Sequence, residues 1–189
     1  MSESNSVKLY TKTGDTGSTN LYDMARLPKY DMVFEVLGDL DELSSCIGIV
    51  CSLLKDAKVS LELRKIQSVL LDIGSDFATR RNRHLIQEID FSHVKQVEAL
   101  IDFYSERSPL LTEFILPGVE PLDAHVHLCR SVSRRTERHM WRLSEELNGE
   151  LQTRNESFQY INRLSDYFFA LARYLSGNKE TTRSAAKNN

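Results

Sequence analysis

Five stretches of this chain place apolar residues at three- and four-residue steps, and no other feature limits the fold so strongly. Val33, Val36, Leu37, Leu40, Leu43 and Ile47 form one such stripe from Asp31 onward, and Leu63, Ile66, Val69, Leu70, Ile73 and Phe77 a second, from about Ser60 to Thr79. Phe91, Val94, Val97, Leu100, Ile101 and Tyr104 give a third, shorter one. The fourth opens at Pro121, a residue tolerated in a first turn because the N–H it lacks has no helical partner there. It runs to about Leu147, where Asn148-Gly149 supplies a stop. The fifth covers Asn155 to Leu175, with Phe158, Ile161, Leu164, Phe168, Leu171 and Leu175 inward. A helix buries such a stripe only against another element, and strand-type alternation is almost missing. The expected fold is therefore all-α, a five-helix bundle.

Between the stripes, Asn82 to Asp90 reads as a polar connection. Ser108 to Glu120 holds two prolines and a glycine around Phe114, Ile115 and Leu116, and that much apolar surface predicts an ordered connector. Residues 1–30 read as a polar arm, 31–176 as the bundle and 177–189 as a frayed polar tail, all within one domain. At 189 residues and 41% hydrophobic content the chain suits one core. A formal charge of -3 lacks the basic excess of a nucleic-acid binder. Cys46, Cys51 and Cys129 form no C-x-x-C pair, so free thiols in a reducing compartment are expected. No apolar run approaches the ~20 residues of a membrane span. Met1 to Ser6 shows neither a signal peptide nor an Arg-rich presequence, which reads as cytoplasmic, or as mitochondrial matrix if a presequence has been removed.

Four constellations carry chemistry. Thr11-Lys12-Thr13-Gly14-Asp15-Thr16-Gly17-Ser18-Thr19 combines two glycines, a lysine and hydroxyls. Glycines let consecutive N–H groups turn toward one anion, as a phosphate-binding loop requires. It lacks the Walker spacing, and on composition alone a solvated arm is the plainer reading. On the fourth helix Arg130, Arg134 and Arg138 stand at i, i+4 and i+8, beside Arg135, Glu137 and Arg142. Like charges at that spacing repel, and a polyanion or facing carboxylates would relieve them; a solvated face balanced by Glu145 and Glu146 is the alternative. Asn162 and Asp166 lie one turn apart on the fifth helix, as polar surface or as a group orienting a neighbouring arginine. Asp41, within the core-forming Gly38-Asp39-Leu40-Asp41-Glu42-Leu43 run, needs a partner if buried, and the arginine row is the supply. His125 and His127 point apart on a helix and the other histidines lack ligand spacing, so no protein-bound transition metal is expected. A magnesium ion arriving with a nucleotide would bind mostly through phosphate and water.

The order of these segments is more specific than any one of them. T-K-T-G-D-x-G-x-T at Thr11–Thr19 is followed by R-x-P-K at Arg26–Lys29 and G-x-x-D-E-L-S-S at Gly38–Ser45. F-I-L-P-G at Phe114–Gly118, H-x-x-R-x-x-x-R-R-x-E-R at His127–Arg138 and N-R-L-S-D-Y at Asn162–Tyr167 complete the series. Together they resemble the PduO-type ATP:cob(I)alamin adenosyltransferases. The resemblance implies transfer of the 5′-deoxyadenosyl group of ATP to the cobalt of cob(I)alamin, with ATP, Mg2+ and cobalamin bound by a flexible N-terminal nucleotide-binding loop and a helical bundle. It implies a homotrimer with sites between subunits, served by a reductase and an adenosylcobalamin-dependent enzyme.

By the same resemblance Thr11, Lys12, Thr13, Gly14, Thr19, Asn20 and Lys29 take the phosphates, and Arg134, Arg135, Glu137, Arg138 and Asn162 complete the ATP site. Arg130 pairs with Asp41 of a neighbouring subunit, Phe114 closes the corrin pocket, and Asp166 stands beside the reacting groups. Arg130, Arg134, Glu137 and Asp166 are the catalytic candidates. The chain departs from the family at Asp23-Met24-Ala25 and at Val119-Glu120, where glycines are usual. Those departures motivate an alternative, a non-catalytic carrier of ATP or cobalamin with the same fold.

Overall fold

The computed structural model describes residues 10–22, 25–79, 89–147, 155–177, 179 and 181–182. The helices are α1 (Met32–Leu53), α2 (Ala57–Ala78), α3 (Phe91–Ser105), α4 (Pro121–Glu146) and α5 (Asn155–Leu175). Three of them start on an aspartate whose carboxylate accepts otherwise unpaired N–H groups of the first turn. Asp31 caps α1 through Val33 N at 3.0 Å, and Asp56 caps α2 through Lys58 N at 2.8 Å. That cap starts α2 at Ala57, three residues before the expected start near Ser60. Asp90 caps α3 through Ser92 and His93, and the Ser92 hydroxyl, then His93, lower its pKa to about 2.

The packing is layered. α4 lies between α1 and α5, α2 covers the other side of α1, and α3 the other side of α5. Leu43, Ile47, Leu63, Ile73, Met140, Ile161, Leu164 and Leu171 are fully buried along the seams. Truncating one such residue to alanine costs about 2–5 kcal/mol. Across the gap between the outer layers, the Tyr104 hydroxyl donates to Glu62 Oε2 at 2.6 Å. Burial first, then that carboxylate, hold the Tyr104 phenol well above its ordinary pKa.

Four short strands, absent from the sequence expectation, flank the bundle. β1 (Ser18–Asn20) pairs antiparallel with β2 (Arg26–Pro28), so part of the N-terminal arm is a hairpin. β3 (Ile115–Leu116) pairs with β4 (Thr181–Thr182), so the segment read as a frayed tail includes two residues bonded to the connector. The Asn148-Gly149 stop, Asp23 and Met24, and most of the 82–90 connection lie outside the described residues. Among the described residues no helix is long and apolar enough to cross a membrane.

Candidate active site

The N-terminal hairpin is built for its sequence. Lys12 has φ 60 and Gly17 φ 80, and the turns close by Gly17 N donating to Gly14 O at 3.2 Å and Lys29 N to Gly17 O at 2.9 Å. The Arg26 guanidinium ties the hairpin across, donating to Thr13 O at 2.7 Å and Asn20 Oδ1 at 3.3 Å. Buried Leu21 anchors it on the bundle. The Lys29 ammonium lies over Gly14, where an added Cβ would come within 3.3 Å of Nζ. Gly14 and Lys29, fifteen positions apart, are thus brought together with the Thr11 and Thr13 hydroxyls, themselves 2.8 Å apart. Lys12 leans over the Tyr10 ring at 5.9 Å. Arg26 is the residue that sequence reasoning missed here, having read it only as part of a motif.

Helix α4 divides its charges between two flanks. Toward α1, Arg135 Nε donates to Asp39 Oδ1 at 2.9 Å and its NH2 group reaches Glu42; His139 Nδ1 stands 2.8 Å from Asp39 Oδ2. The hydrogen bond to the Asp39 carboxylate raises the Arg135 pKa above its already high value. Toward α5, Asn162 Nδ2 donates to Glu137 Oε1 at 2.6 Å, and Arg163 reaches Asn162 Oδ1 at 3.2 Å and Glu98 Oε1 at 3.1 Å. Between these flanks Arg134 and Arg138 are exposed. Arg138 donates to the Arg134 carbonyl at 2.9 Å, while the Arg134 guanidinium forms no ion pair among the described residues. Asp166, one turn from Asn162, is exposed and likewise forms none there.

The acid that the arginine row satisfies differs from the one expected. Asp39 is 6% exposed and holds Arg135, whereas Asp41 faces solvent and makes no ion pair within the described chain. The reason is helical phase: Asp39 falls on the side of α1 that meets α4, and Asp41 two residues later does not. Asp41 instead lines a cleft of about 280 Å³ with Tyr22, Leu40, Ser44, Leu71 and Gly74, between the hairpin and the α1–α2 pair. Arg130 sits 5.5 Å from the Phe169 ring.

Phe114, on the connector before α4, is 80% exposed, and Leu110, Leu111 and Leu116 of the same connector are exposed too. Its neighbourhood is firmly held: Arg173 NH2 donates to Pro109 O at 2.6 Å, and buried Asp123 accepts the N–H groups of Gly118, Val119 and Glu120. Only Gly118, at φ 103, needs a glycine's freedom; Val119 and Glu120 stand without left-handed backbone. Among the described residues no group of three or more His, Cys, Asp or Glu could hold a metal ion.

A glycine hairpin with a lysine over it, an exposed arginine pair on α4 and a connector with exposed apolar side chains give this helical protein groups suited to a polyphosphate and to a bulky apolar ligand. The family model of the cobalamin adenosyltransferases matches residues 9–175, and the chain belongs to that family. It is 42% identical over 183 residues to the human corrinoid adenosyltransferase MMAB, covering 92% of this chain and 72% of that protein. With a corrinoid adenosyltransferase of Mycobacterium leprae it shares 38% identity, over 88% of this chain and 90% of that one. Among solved structures, a variant PduO-type ATP:corrinoid adenosyltransferase from Lactobacillus reuteri, complexed with cobalamin and ATP, superposes with a TM-score of 0.84 at 36% identity, over 93% and 96% of the two chains.

Proposed function

We propose that this chain is an ATP:cob(I)alamin adenosyltransferase that acts through the hairpin, the Arg134 flank of α4 and the Phe114 loop. The cobalt of cob(I)alamin attacks C5′ of ATP, the Co–C bond forms as the C5′–O5′ bond breaks, and triphosphate leaves with the bonding electrons. The nucleophile belongs to the substrate, so the protein needs no Ser, Cys or His triad. Its tasks are to position two ligands and to stabilise charge on the leaving group.

The observation that carries this reading is the exposed Arg134 guanidinium, without an ion pair among the described residues, on the same chain as a hairpin whose Lys29 already lies over Gly14. Thr11, Lys12, Thr13, Gly14, Thr19, Asn20 and Lys29 take the triphosphate, and Arg134 and Arg138 meet its outer oxygens. Asn162, fixed by Glu137, addresses the nucleoside end. Mg2+ binds mostly through phosphate oxygens and water. Phe114 covers the corrin, excluding water and the lower axial base from cobalt, and Asp166 stands beside the reacting centre. Arg130 and Asp41, each without an acid or base partner among the described residues, pair across subunits of a homotrimer. A reductase supplies the cob(I) state.

The deciding experiment is an anaerobic assay with ATP, Mg2+ and chemically reduced cob(I)alamin, followed by the spectral change to adenosylcobalamin. Turnover is expected. Tight binding of either ligand without product would sink the enzymatic reading and leave the carrier. Phe114→Ala is expected to spare turnover of pre-formed cob(I)alamin and to impair it when the assay starts from cob(II)alamin and a reductant. Equal losses from both starting states would refute the role given to Phe114.

A further inference from the structure

The connector carrying Phe114 is pinned at each end by a buried polar side chain. At its start the Arg173 guanidinium, 7% exposed, holds the Pro109 carbonyl from the last turns of α5. At its end the Asp123 carboxylate, 3% exposed, collects three consecutive backbone donors. Gly118 N and Val119 N donate to Oδ2 at 3.1 and 3.4 Å, and Glu120 N donates to Oδ1 at 2.5 Å. A carboxylate that served only as the helix's own capping partner would need the last of these contacts alone. The other two reach back past the helix start to Gly118, whose φ of 103 makes the sharp bend that turns the chain from β3 into α4. Nothing lies within 4 Å of the space a Gly118 side chain would fill, so the bend is held by these hydrogen bonds and not by packing around that residue.

We infer that Asp123 is a positioning residue for the corrin side of the reaction: by fixing the bend at Gly118–Glu120 it sets where Phe114 stands. The inference rests on the role proposed above for Phe114. The N–H groups of Val119 and Glu120 are thus captured by a carboxylate supplied from the first turn of α4, which fixes the backbone where the connector meets the helix. Glu120 adds a tie of its own, 3.5 Å from the Lys179 ammonium next to the strand that pairs with Ile115 and Leu116.

The test is a pair of substitutions, Asp123→Ala and the near-isosteric Asp123→Asn, made in the full chain and crossed with Phe114→Ala. Asp123→Ala is expected to raise KM for cob(I)alamin about tenfold and to slow turnover from cob(II)alamin, with KM for ATP moving less than twofold. The fraction of four-coordinate cob(II)alamin, read by electron paramagnetic resonance with ATP bound, should fall. On the Phe114→Ala background the same substitution should have little further effect on that fraction. Asp123→Asn, which keeps one acceptor, should fall between the two and serves as the readout if the alanine variant does not fold. Parallel rises in both KM values, or a four-coordinate signal that drops equally with and without Phe114, would reduce Asp123 to a helix cap and overturn the inference. A wild-type chain without turnover would instead overturn the enzymatic reading. A silent Phe114→Ala beside an active wild type would overturn the role of Phe114.

Discussion

Arg134 and Arg135 are adjacent in sequence, yet they stand on different faces of α4 under opposite electrostatic conditions. Arg135 is taken up by Asp39 and Glu42, with His139 on the far oxygen of Asp39. Arg134 projects from the exposed strip between two such satisfied flanks and forms no ion pair among the described residues. The residue type is the same, and the difference is one hundred degrees of helical rotation. An arginine with its acids in place fastens α4 to α1, and an arginine without them is available to an anionic ligand. The lesson is that a row of guanidinium groups is not one site but two, and only the neighbours on α1 reveal where it divides.

The sharpest way to break this comparison is Arg134→Ala. Loss of one preorganised donor to the leaving triphosphate should cost about 2.7–4 kcal/mol in the transition state, a fall of roughly 10²–10³ in kcat, with thermal stability nearly unchanged. Wild-type kinetics from a purified variant would end the assignment. Arg135→Ala should do the reverse. It leaves the buried Asp39 carboxylate with His139 alone, and because the guanidinium is itself partly exposed the loss should lie at about 1–3 kcal/mol, between surface and buried ion pairs. In a chain of this size that lowers Tm by roughly 2–4 °C per kcal/mol, which calorimetry would resolve. Abolished turnover at unchanged Tm would place Arg135 in the nucleotide site after all. Glu42→Gln is the smallest test, since Glu42 is half exposed. It should cost under ~1 kcal/mol and weaken further in salt.

Much of this was legible in the chain, and the limits have physical causes. The five helices declared themselves because each must bury a long stripe, and such stripes repeat often enough to outweigh chance. The start of α2 did not, because Asp56 caps the helix seven residues ahead of the first stripe position, Leu63. The hairpin was hidden too: Ser18–Asn20 and Arg26–Pro28 are too short and too polar for alternation to register, and the tie from Arg26 to Thr13 O spans thirteen positions. The acidic Gly38–Leu43 run calls for a basic partner on α4, and within the chain Asp39 meets Arg135 while Asp41 faces solvent. Spacing from the apolar stripe is nearly the same for both, and only the placement of α4 against α1 separates them. The order of layers, with α4 innermost, was not legible at all, since connections of these lengths allow several arrangements.

Cys46, Cys51 and Cys129 are all free and all buried. Burial, followed by the nearby Glu42 carboxylate, raises the Cys46 thiol, and burial above all raises Cys129. Sulfur kept protonated inside the bundle is a poor soft ligand, so the chain offers little thiolate to coordinate the cobalt it is proposed to serve. The same seclusion gives the protein an internal clock. An alkylating reagent can reach Cys129, between α1 and α4, only when the layers part, so its rate of labelling counts openings of that seam. Run on chains differing at the Arg135 flank and at the Arg134 flank, that clock should quicken for the first and keep time for the second.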